Sequence, residues 1–489
     1  MPSSRVVHVR TDDTAVVDTL RRGIEQIQKE LEVTPEFPAE VEAAAARAAA
    51  APRLPELDRT EIPFITIDPD SSRDLDQALH IERGTSRGSE GFTVHYAIAD
   101  LAAFITPGDP IDVESHRRGQ TLYGADSKIP LHPPAISEDA GSLLPDQVRP
   151  ALLWTIEVDD TGEGVAVEVV RARVRSVAKL SYDQAQAAID SGSDVPGGDT
   201  LRLLKEVGEL RLARDARNGA VALPLPEQEI DISDDGTWRL EFRSMLPVEE
   251  WNAQISLLTG FAAASLMVAG KVGLLRTMPP PDPRDVKRLR RTARALGVSW
   301  PPELDYPEFI RSLDAADPAH AAVIVASARL LRGSGYVAFD GDLPEEREQS
   351  ALASEYAHVT APLRRLADRY AGEVCVALCA GEPVPSWVLE ALPELPAQMQ
   401  SSGQKAGAYE RAVIDLVEAG LFQRRVGEEF DGVVVSVEEK DDRRGKVSVG
   451  EIGVEAPIEG TAPLPLGDDI RVRLDSVDVG KRQVRFVPA

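Results

Sequence analysis

The sequence predicts a multidomain α+β protein that begins with a small helical unit and ends in a small β-barrel. Three observations predict this fold class. Strand-like segments precede helical ones in the middle of the chain, strand-like segments return near its end, and 489 residues suit about three domains. Hydrophobic residues (43%) and charged residues (28%) lie near globular averages, which argues against a mainly disordered chain.

Residues 1–57 are predicted to form a small helical N-terminal domain. Apolar residues recur every three or four positions from Val17 to Leu31, and an Ala-rich run follows Pro38, so two helices are expected. The proline-rich segment AAAAPRLPELDRTEIP then breaks the pattern and marks a domain edge. A helix-turn-helix unit is one interpretation of this region.

Residues 58–420 are predicted to form a mixed body of strands followed by helices. The segments FITID, FTVHYAIAD, ALLWTIEVD and VAVEVVRARV lie between Gly, Pro and Asp turns and are typical of strands. Helical periodicity dominates from Tyr182 to Phe422, apart from a short β pair near residues 229–242.

Residues 421–489 are predicted to form a separate β-domain. The segments DGVVVSVEE, GKVSVGEI, IRVRLDSVD and RQVRFVPA alternate in polarity and are separated by Gly and Asp turns. Roughly 60 residues of this kind suit a five-stranded barrel such as an OB fold.

Net charge limits the classes of binding partner, and cysteine usage indicates the cellular compartment. The net charge of −27 speaks against a general binder of nucleic acids or anionic membranes, unless a local basic channel overturns the average. Cys375 and Cys379 are four apart on one helix face, as expected for free thiols in a reducing compartment. The start lacks a secretory signal pattern, and the uncharged run 255–270 is too short and polar for a bilayer span. We therefore expect a cytoplasmic protein.

The segment IDPDSSRDLDQ directly follows the apolar strand IPFIT. A strand end that delivers Asp68 into a tight loop, with Asp74 and Asp76 at the loop's return, would gather three hard oxygen ligands. Mg²⁺ prefers such ligands. The alternative is a solvated turn whose Asp and Ser side chains satisfy local backbone donors.

A second polar segment, TAPLRR, is predicted to open a helix with Pro362 in its first turn. Arg364 and Arg365 near a helix start would present forked donors to a phosphate. The alternative is a surface basic patch that pairs with Asp368.

Four motifs, in this order, resemble the catalytic RNB domain of the ribonuclease II and ribonuclease R family: TIDPDSSRDLDQAL, VHYAIADLAAFI, LSYDQA and YAHVTAPLRRLADRY. The terminal barrel resembles the S1-type OB domain at the same end of family members. The resemblance implies a ribonuclease II-type, processive 3′→5′ exoribonuclease. Such an enzyme degrades single-stranded RNA to nucleoside 5′-monophosphates.

The resemblance also implies a metal site. Asp68, Asp74 and Asp76 match family carboxylates that hold Mg²⁺ at the scissile phosphate, and Asp76 matches the one most closely tied to hydrolysis. The next family carboxylate is Gln77 here, and an amide oxygen is a neutral, weaker Mg²⁺ ligand. This departure predicts altered metal occupancy, with Asp70 as a candidate substitute and Mn²⁺ as an alternative ion.

Contacts to RNA are implied in the same way. Tyr123 matches a tyrosine that stacks on RNA, and Tyr182 matches one beside the 3′-terminal nucleotide. Stacking contributes about 1–3 kcal/mol per base and tolerates any sequence. Arg364 matches an arginine that clamps phosphate and stabilises charge at the reaction centre, with Arg365 expected to support it. Asp74, Asp76 and Arg364 are thus the candidate catalytic residues.

Two positions depart further from the family pattern. The role of a family glutamate falls to Glu250, Asn252 or Gln254, because the register is ambiguous. A clamp phenylalanine is replaced by Leu223, which predicts weaker stacking on RNA.

The main functional hypothesis is therefore metal-dependent hydrolysis of single-stranded RNA by a monomer, without a membrane or a nucleotide cofactor. A catalytically weakened RNA-binding protein with the RNB fold is the alternative, motivated by Gln77 and Leu223. A metal-dependent phosphatase of small molecules is a third interpretation, which the terminal barrel does not favour. The N-terminal helices either bind RNA or cover the catalytic domain.

Overall fold

The computed structural model describes residues 9–11, 14–86, 89–125, 128–224, 227–232, 237–243, 245–315, 317–438, 440–449 and 454–489. Residues 1–8 of the predicted N-terminal domain therefore lie outside the described residues.

Strands and helices follow one another along the whole chain. The first part of the chain contains β1 (Val9–Thr11), α1 (Thr14–Glu30), α2 (Ala39–Ala50), β2 (Phe64–Ile67), β3 (Gln77–Ser86), β4 (Ser89–Ala99), α3 (Pro110–Arg118), β5 (Leu122–Tyr123), β6 (Lys128–Ile129), β7 (Val148–Val158) and β8 (Gly164–Leu180). The middle contains α4 (Tyr182–Ser191), α5 (Gly198–Asn218), β9 (Glu227–Ile232), β10 (Trp238–Arg243), α6 (Pro247–Gly270), β11 (Val272–Thr277), α7 (Pro283–Ala295), α8 (Tyr306–Arg311), α9 (Pro318–Ser327), β12 (Gly335–Asp340), β13 (Glu348–Gln349), β14 (Ser354–Glu355), α10 (Leu366–Ala380), α11 (Ser386–Ala391) and α12 (Leu395–Phe422). The C-terminal part contains β15 (Glu429–Val437), β16 (Arg444–Val449), β17 (Val454–Glu459), β18 (Asp469–Asp478) and β19 (Gln483–Pro488).

The first β-rich region closes into a five-stranded barrel in the order β2-β3-β4-β7-β8. The strands β3, β4, β7 and β8 form an antiparallel meander, and β2 closes the barrel by pairing parallel to the end of β8, with Ile65 opposite Ala178. The short β2 ends at Ile67, beside Leu180 of β8. The acidic loop and the start of α4 therefore leave the same rim of the barrel.

The helix α6 is the centre of the helical layer. It packs against α5, α10 and β11, and it buries Ile255, Leu258 and Met267. Of the described helices, α6 is the one that is long and apolar enough to cross a membrane by length and composition. The helix is thus longer than the uncharged run 255–270 considered from sequence, and its contacts are those of a core helix.

The C-terminal strands form a second closed barrel, β15-β16-β17-β19-β18, which confirms the predicted OB-like fold. Its interior is apolar and includes Phe430, Val447, Leu474 and Phe486. The apolar alternation that predicted these strands therefore corresponds to side chains that face the barrel core.

The two N-terminal helices pack on different parts of the molecule. The predicted apolar stripe of α1 contacts α12, and Gly23 allows close approach, because a Cβ there would lie 2.5 Å from Leu416 Cδ2. Glu30 of α1 also pairs with Arg482 of the C-terminal barrel at 2.7 Å. The second helix, α2, packs on α3 and on the turn 136–140. The helices thus cover the central body of the molecule instead of sharing a core of their own.

Candidate active site

The acidic loop between β2 and β3 is fixed from both sides by hydrogen bonds. Ser142 accepts the backbone N–H of Leu75 at 2.9 Å and donates its hydroxyl to the Arg73 carbonyl at 2.6 Å. The ammonium of Lys179, on β8, donates to the carbonyls of Asp70 and Ser72, both at 2.7 Å. The loop therefore has a defined path, and its carboxylates have defined positions.

Asp68 and Asp76 lie at opposite ends of this loop. Burial raises the pKa of Asp68 to about 7, and repulsion from Asp74 adds to the rise while Lys179 and Arg364 oppose it. Asp76 is 6% exposed, and burial raises its pKa to about 8 against the opposing influence of Arg364. Burial therefore disfavours the negatively charged form of both carboxyls.

Asp76 also joins the acidic loop to a distant segment of the chain. Its Oδ1 accepts the backbone N–H of Leu363 at 2.7 Å, and its Oδ2 lies 3.5 Å from Nε of Arg364. The side chain of Arg364 is 40% exposed. The Nε edge of this guanidinium therefore faces Asp76, while two fifths of the side chain is exposed to solvent.

Asp74 is held by a lysine that the sequence analysis did not single out. Nζ of Lys128 lies 2.7 Å from Asp74 Oδ1 and 3.0 Å from Glu138 Oε1. Lys128 belongs to β6 and is the cross-strand partner of Tyr123 on β5. The short hairpin signal LY-GADS-KI, with glycine in its loop, is the sequence feature that pairs these two residues.

Gln77 takes part in a separate hydrogen-bond network. Its amide N–H donates to the Thr360 carbonyl at 2.7 Å, and its carbonyl oxygen accepts from the hydroxyls of Tyr96 and Ser256. The Gln77 side chain thus links the first barrel, α6 and the segment before α10. Nothing in the sequence pattern of α6 pointed to Ser256.

The segment TAPLRR does not open the helix, which corrects the prediction from sequence. The helix α10 begins at Leu366, and Pro362 lies in a turn before it. The reason is backbone pairing with residues 119–121: the Arg364 carbonyl accepts from Thr121 at 3.0 Å, and Leu366 donates to the Gly119 carbonyl at 3.0 Å. These backbone groups are therefore engaged outside any helix.

Arg365 is placed differently from the predicted RNA contact. Its guanidinium donates two hydrogen bonds to the buried carboxylate of Asp368, at 2.9 and 2.8 Å. This pair lowers the pKa of Asp368 despite burial and raises that of Arg365. Arg365 therefore supports the turn that presents Arg364, and the pairing with Asp368 that was the alternative is observed in a buried form.

Of the two candidate stacking residues, Tyr123 is the one that interacts with the carboxylates of the acidic loop. Tyr123 is 47% exposed, while burial of its hydroxyl end raises its pKa to about 12, with Arg364 opposing and Asp74 adding to the rise. Its ring is thus open on one side and close to the charged groups on the other. Tyr182 is the first residue of α4, directly after the Ser181 cap, and packs in part against the core.

The candidates for the family glutamate and for the clamp position lie on other elements than the acidic loop. Glu250 is exposed in the first turn of α6, whereas Gln254 is buried and donates to Asp215 at 3.0 Å. Asn252 lies one helical turn before Ser256 and so shares its face of α6. Leu223 is half-buried against the apolar cluster of α7, α8 and α9.

The donor chemistry of the acidic loop fits a hard divalent cation, although the side chains are not arranged as a closed ligand set. Carboxylate oxygens are the preferred ligands of Mg²⁺, and the raised pKa values of Asp68 and Asp76 reflect charge that a cation would stabilise. Among the described residues, no three His, Cys, Asp or Glu side chains are grouped so as to hold a metal ion. Asp74 is paired with the ammonium of Lys128.

Two protein-family models match this chain, one over its central part and one over its C-terminal barrel. The RNB domain model matches residues 57–378, and the RNase II-type exonuclease C-terminal S1 domain model matches residues 428–489. The first match alone covers more than half of the chain.

Curated relatives match over much of the chain. Exosome complex exonuclease RRP44 homolog A of Arabidopsis thaliana is 29% identical over 417 residues, which covers 80% of this chain and 43% of the relative. Ribonuclease R of Aquifex aeolicus is 26% identical over 498 residues, which covers 94% of this chain and 67% of the relative. The chain thus spans between two fifths and two thirds of the length of these relatives.

Two solved structures share the fold. Ribonuclease R of Mycoplasma genitalium, in complex with ribose-methylated single-stranded RNA, has a TM-score of 0.86 at 18% identity, covering 96% of this chain and 78% of that chain. Yeast Ssd1, described as a pseudonuclease, has a TM-score of 0.71 at 16% identity, covering 95% of this chain and 57% of that chain. The same fold therefore occurs in a ribonuclease and in a pseudonuclease.

Proposed function

Because this chain belongs to the RNB family of exoribonucleases, we propose that it is an active, metal-dependent, ribonuclease II-type enzyme. It degrades single-stranded RNA processively from the 3′ end and releases nucleoside 5′-monophosphates. The observation that carries this proposal is the position of Arg364, which lies 3.5 Å from the buried Asp76 and within electrostatic reach of Tyr123.

The residues of the candidate active site have separate proposed roles in RNA binding and in catalysis. The exposed ring of Tyr123 stacks on a base, and such contacts are insensitive to sequence. Tyr182, at the start of α4, contacts the 3′-terminal nucleotide. The open side of the Arg364 guanidinium binds the scissile phosphate and stabilises the charge that develops on it.

Asp68, Asp74 and Asp76 are the residues proposed to hold the divalent cation, Mg²⁺ or Mn²⁺. When bound, such a cation stabilises charge on a phosphate and makes a water molecule more acidic. Asp76 is the most buried of the three. The Leu363 N–H and Arg364 orient its two oxygens, so its position is set before substrate arrives.

The proposed division is a helical N-terminal segment (residues 1–57) that packs on the central body, a catalytic body (58–420) and an RNA-binding barrel (421–489). We further propose a cytoplasmic monomer that needs no nucleotide cofactor. The free thiols of Cys375 and Cys379 support the cytoplasmic setting.

The test uses 5′-labelled single-stranded RNA, the purified full chain, and Mg²⁺ or Mn²⁺, with samples resolved on a gel over time. Direct conversion of full-length RNA to a product of a few nucleotides, blocked by EDTA, is the expected result. An RNA blocked at its 3′ end is the matched control for direction and is expected to stay intact. A ladder of internal cuts that persists with the blocked RNA would contradict exonucleolytic action.

One observation favours a second function, that of a catalytically weakened RNA-binding protein. The amide of Gln77 is engaged by Thr360, Tyr96 and Ser256, so its oxygen already accepts two hydrogen bonds. RNA that is retarded on a native gel but stays uncut with either metal would support this function over hydrolysis.

A further inference from the structure

The ammonium of Lys128 lies between two carboxylates at the edge of the acidic loop. Its distances to Asp74 Oδ1 and Glu138 Oε1 are 2.7 and 3.0 Å, so both are direct ion pairs. The three side chains are 24%, 14% and 26% exposed in the order Lys128, Asp74, Glu138. The pairs are thus shielded from water in large part, and their attraction is stronger than that of surface pairs.

An ammonium and a divalent cation compete for a carboxylate that both contact. Each needs the oxygen lone pairs, and the two positive charges repel each other at short distance. Because Lys128 already contacts Asp74, a cation that binds Asp74 must displace the ammonium or share the carboxylate with it.

Glu138 gives the displaced ammonium another partner. It lies in the turn 136–140, outside the acidic loop, and already contacts Lys128. A small movement of the flexible lysine side chain toward Glu138 therefore frees Asp74 without leaving a buried charge unpaired.

We infer that Lys128 is a built-in competitor of the divalent cation at Asp74, and that Glu138 takes over its ammonium when the cation binds. This inference rests on the metal dependence in the proposed function. Lys128 and Glu138 are positioning residues in this scheme, since both act through Asp74. The scheme makes the affinity for metal depend in opposite directions on the two side chains.

The experiment measures Mn²⁺ binding to the full chain without RNA, by calorimetry and by the loss of the free-ion electron paramagnetic resonance signal. Lys128→Met is expected to tighten binding about 10-fold, because the competitor is gone. Glu138→Gln is expected to weaken binding several-fold, because the ammonium stays on Asp74. Lys128→Arg keeps a positive charge that pairs with carboxylates and is therefore expected not to tighten binding.

Lys205→Met is the matched control, since Lys205 is an exposed lysine on α5 beside Trp251. It is expected to leave Mn²⁺ affinity unchanged. Thermal unfolding gives a second readout: Lys128→Met is expected to lower the midpoint in EDTA and to show a larger rise on addition of Mn²⁺.

The inference would be overturned if Lys128→Met bound Mn²⁺ more weakly than the unmodified chain. It would also be overturned if Lys128→Met and Glu138→Gln both bound Mn²⁺ with the affinity of the unmodified chain. Neither result would contradict the proposed function. Absence of Mn²⁺ and Mg²⁺ binding by the unmodified chain would overturn the metal dependence of the proposed function as well. The two failures are therefore distinguishable.

Discussion

The carboxylate of Asp76 accepts the backbone N–H of Leu363 over 2.7 Å, although the two residues are 287 positions apart in the chain. This hydrogen bond joins the loop after β2 to the turn before α10. The next residue after Leu363 is Arg364, so the bond also sets the distance between the buried carboxylate and the guanidinium.

Asp76→Asn is expected to lower the rate of RNA cleavage by about 1,000-fold or more, while RNA binding persists. The amide keeps the hydrogen bond from Leu363 but loses the negative charge. Single-turnover cleavage on gels and fluorescence anisotropy with labelled RNA measure the two properties. Asp160→Asn, at an exposed position of the turn between β7 and β8, is the matched control and is expected to cleave at the original rate. Full activity of Asp76→Asn would refute the assignment.

Arg364→Ala is expected to lower kcat by about 100-fold with little change in thermal stability. Its guanidinium is 40% exposed, and after its loss the buried Asp76 still accepts the hydrogen bond from the Leu363 N–H. Steady-state kinetics and a thermal scan of the same preparation provide the measurement. A loss confined to KM would indicate that Arg364 only binds substrate.

Arg365→Ala is expected to lower the free energy of unfolding by about 3–5 kcal/mol, because Asp368 would remain buried and charged without its partner. Urea unfolding followed by circular dichroism measures the change. The double variant Arg365→Ala with Asp368→Ala should recover part of the loss. Unchanged stability of the single variant would contradict the buried pairing.

Tyr123→Ala is expected to weaken binding of single-stranded RNA by about 1–3 kcal/mol, the usual contribution of one stacked base. Tyr123→Phe keeps the ring and is expected to bind like the original chain. Anisotropy titrations at one fixed salt concentration make the comparison, since phosphate contacts depend on salt. Equal affinity of all three proteins would exclude stacking on Tyr123.

His132 is expected to make the protein less stable in acid. Burial lowers its pKa to about 3, and the ordinary value of 6.5 applies to the unfolded chain. Between these values the unfolded chain binds the proton and the folded chain does not, so stability rises with pH in this window. His132 alone should cost about 2 kcal/mol on going from pH 7 to pH 5.

The measurement compares urea unfolding of the original chain and of His132→Leu at both pH values. The contributions of Asp68 and Asp76, whose raised pKa values act in the opposite direction, are common to both proteins. The variant should therefore show the smaller loss in acid. An equal loss in the two proteins would show that His132 does not titrate on unfolding.

Much of the fold followed from local pattern. The apolar stripe of α1 and the alternation of the C-terminal strands are consequences of helix and strand periodicity, which a sequence displays directly. The motifs that resemble the RNB family contain Asp76, Tyr182 and Arg364. Closure of the first barrel was not predicted, because the pairing of β2 with β8 joins segments that are far apart in the chain.

The sequence by itself determined which chemical groups are available: the carboxylates of the acidic loop, the two tyrosines, and the arginines before α10. Only the tertiary structure decided their partners. In the folded chain Arg365 pairs with Asp368, and Lys128 pairs with Asp74. Gln77 donates a hydrogen bond to Thr360, and the Arg364 side chain lies beside Asp76. The physical reason is that hydrogen bonds and ion pairs act over a few ångströms in space, whereas sequence patterns report only the neighbours along the chain.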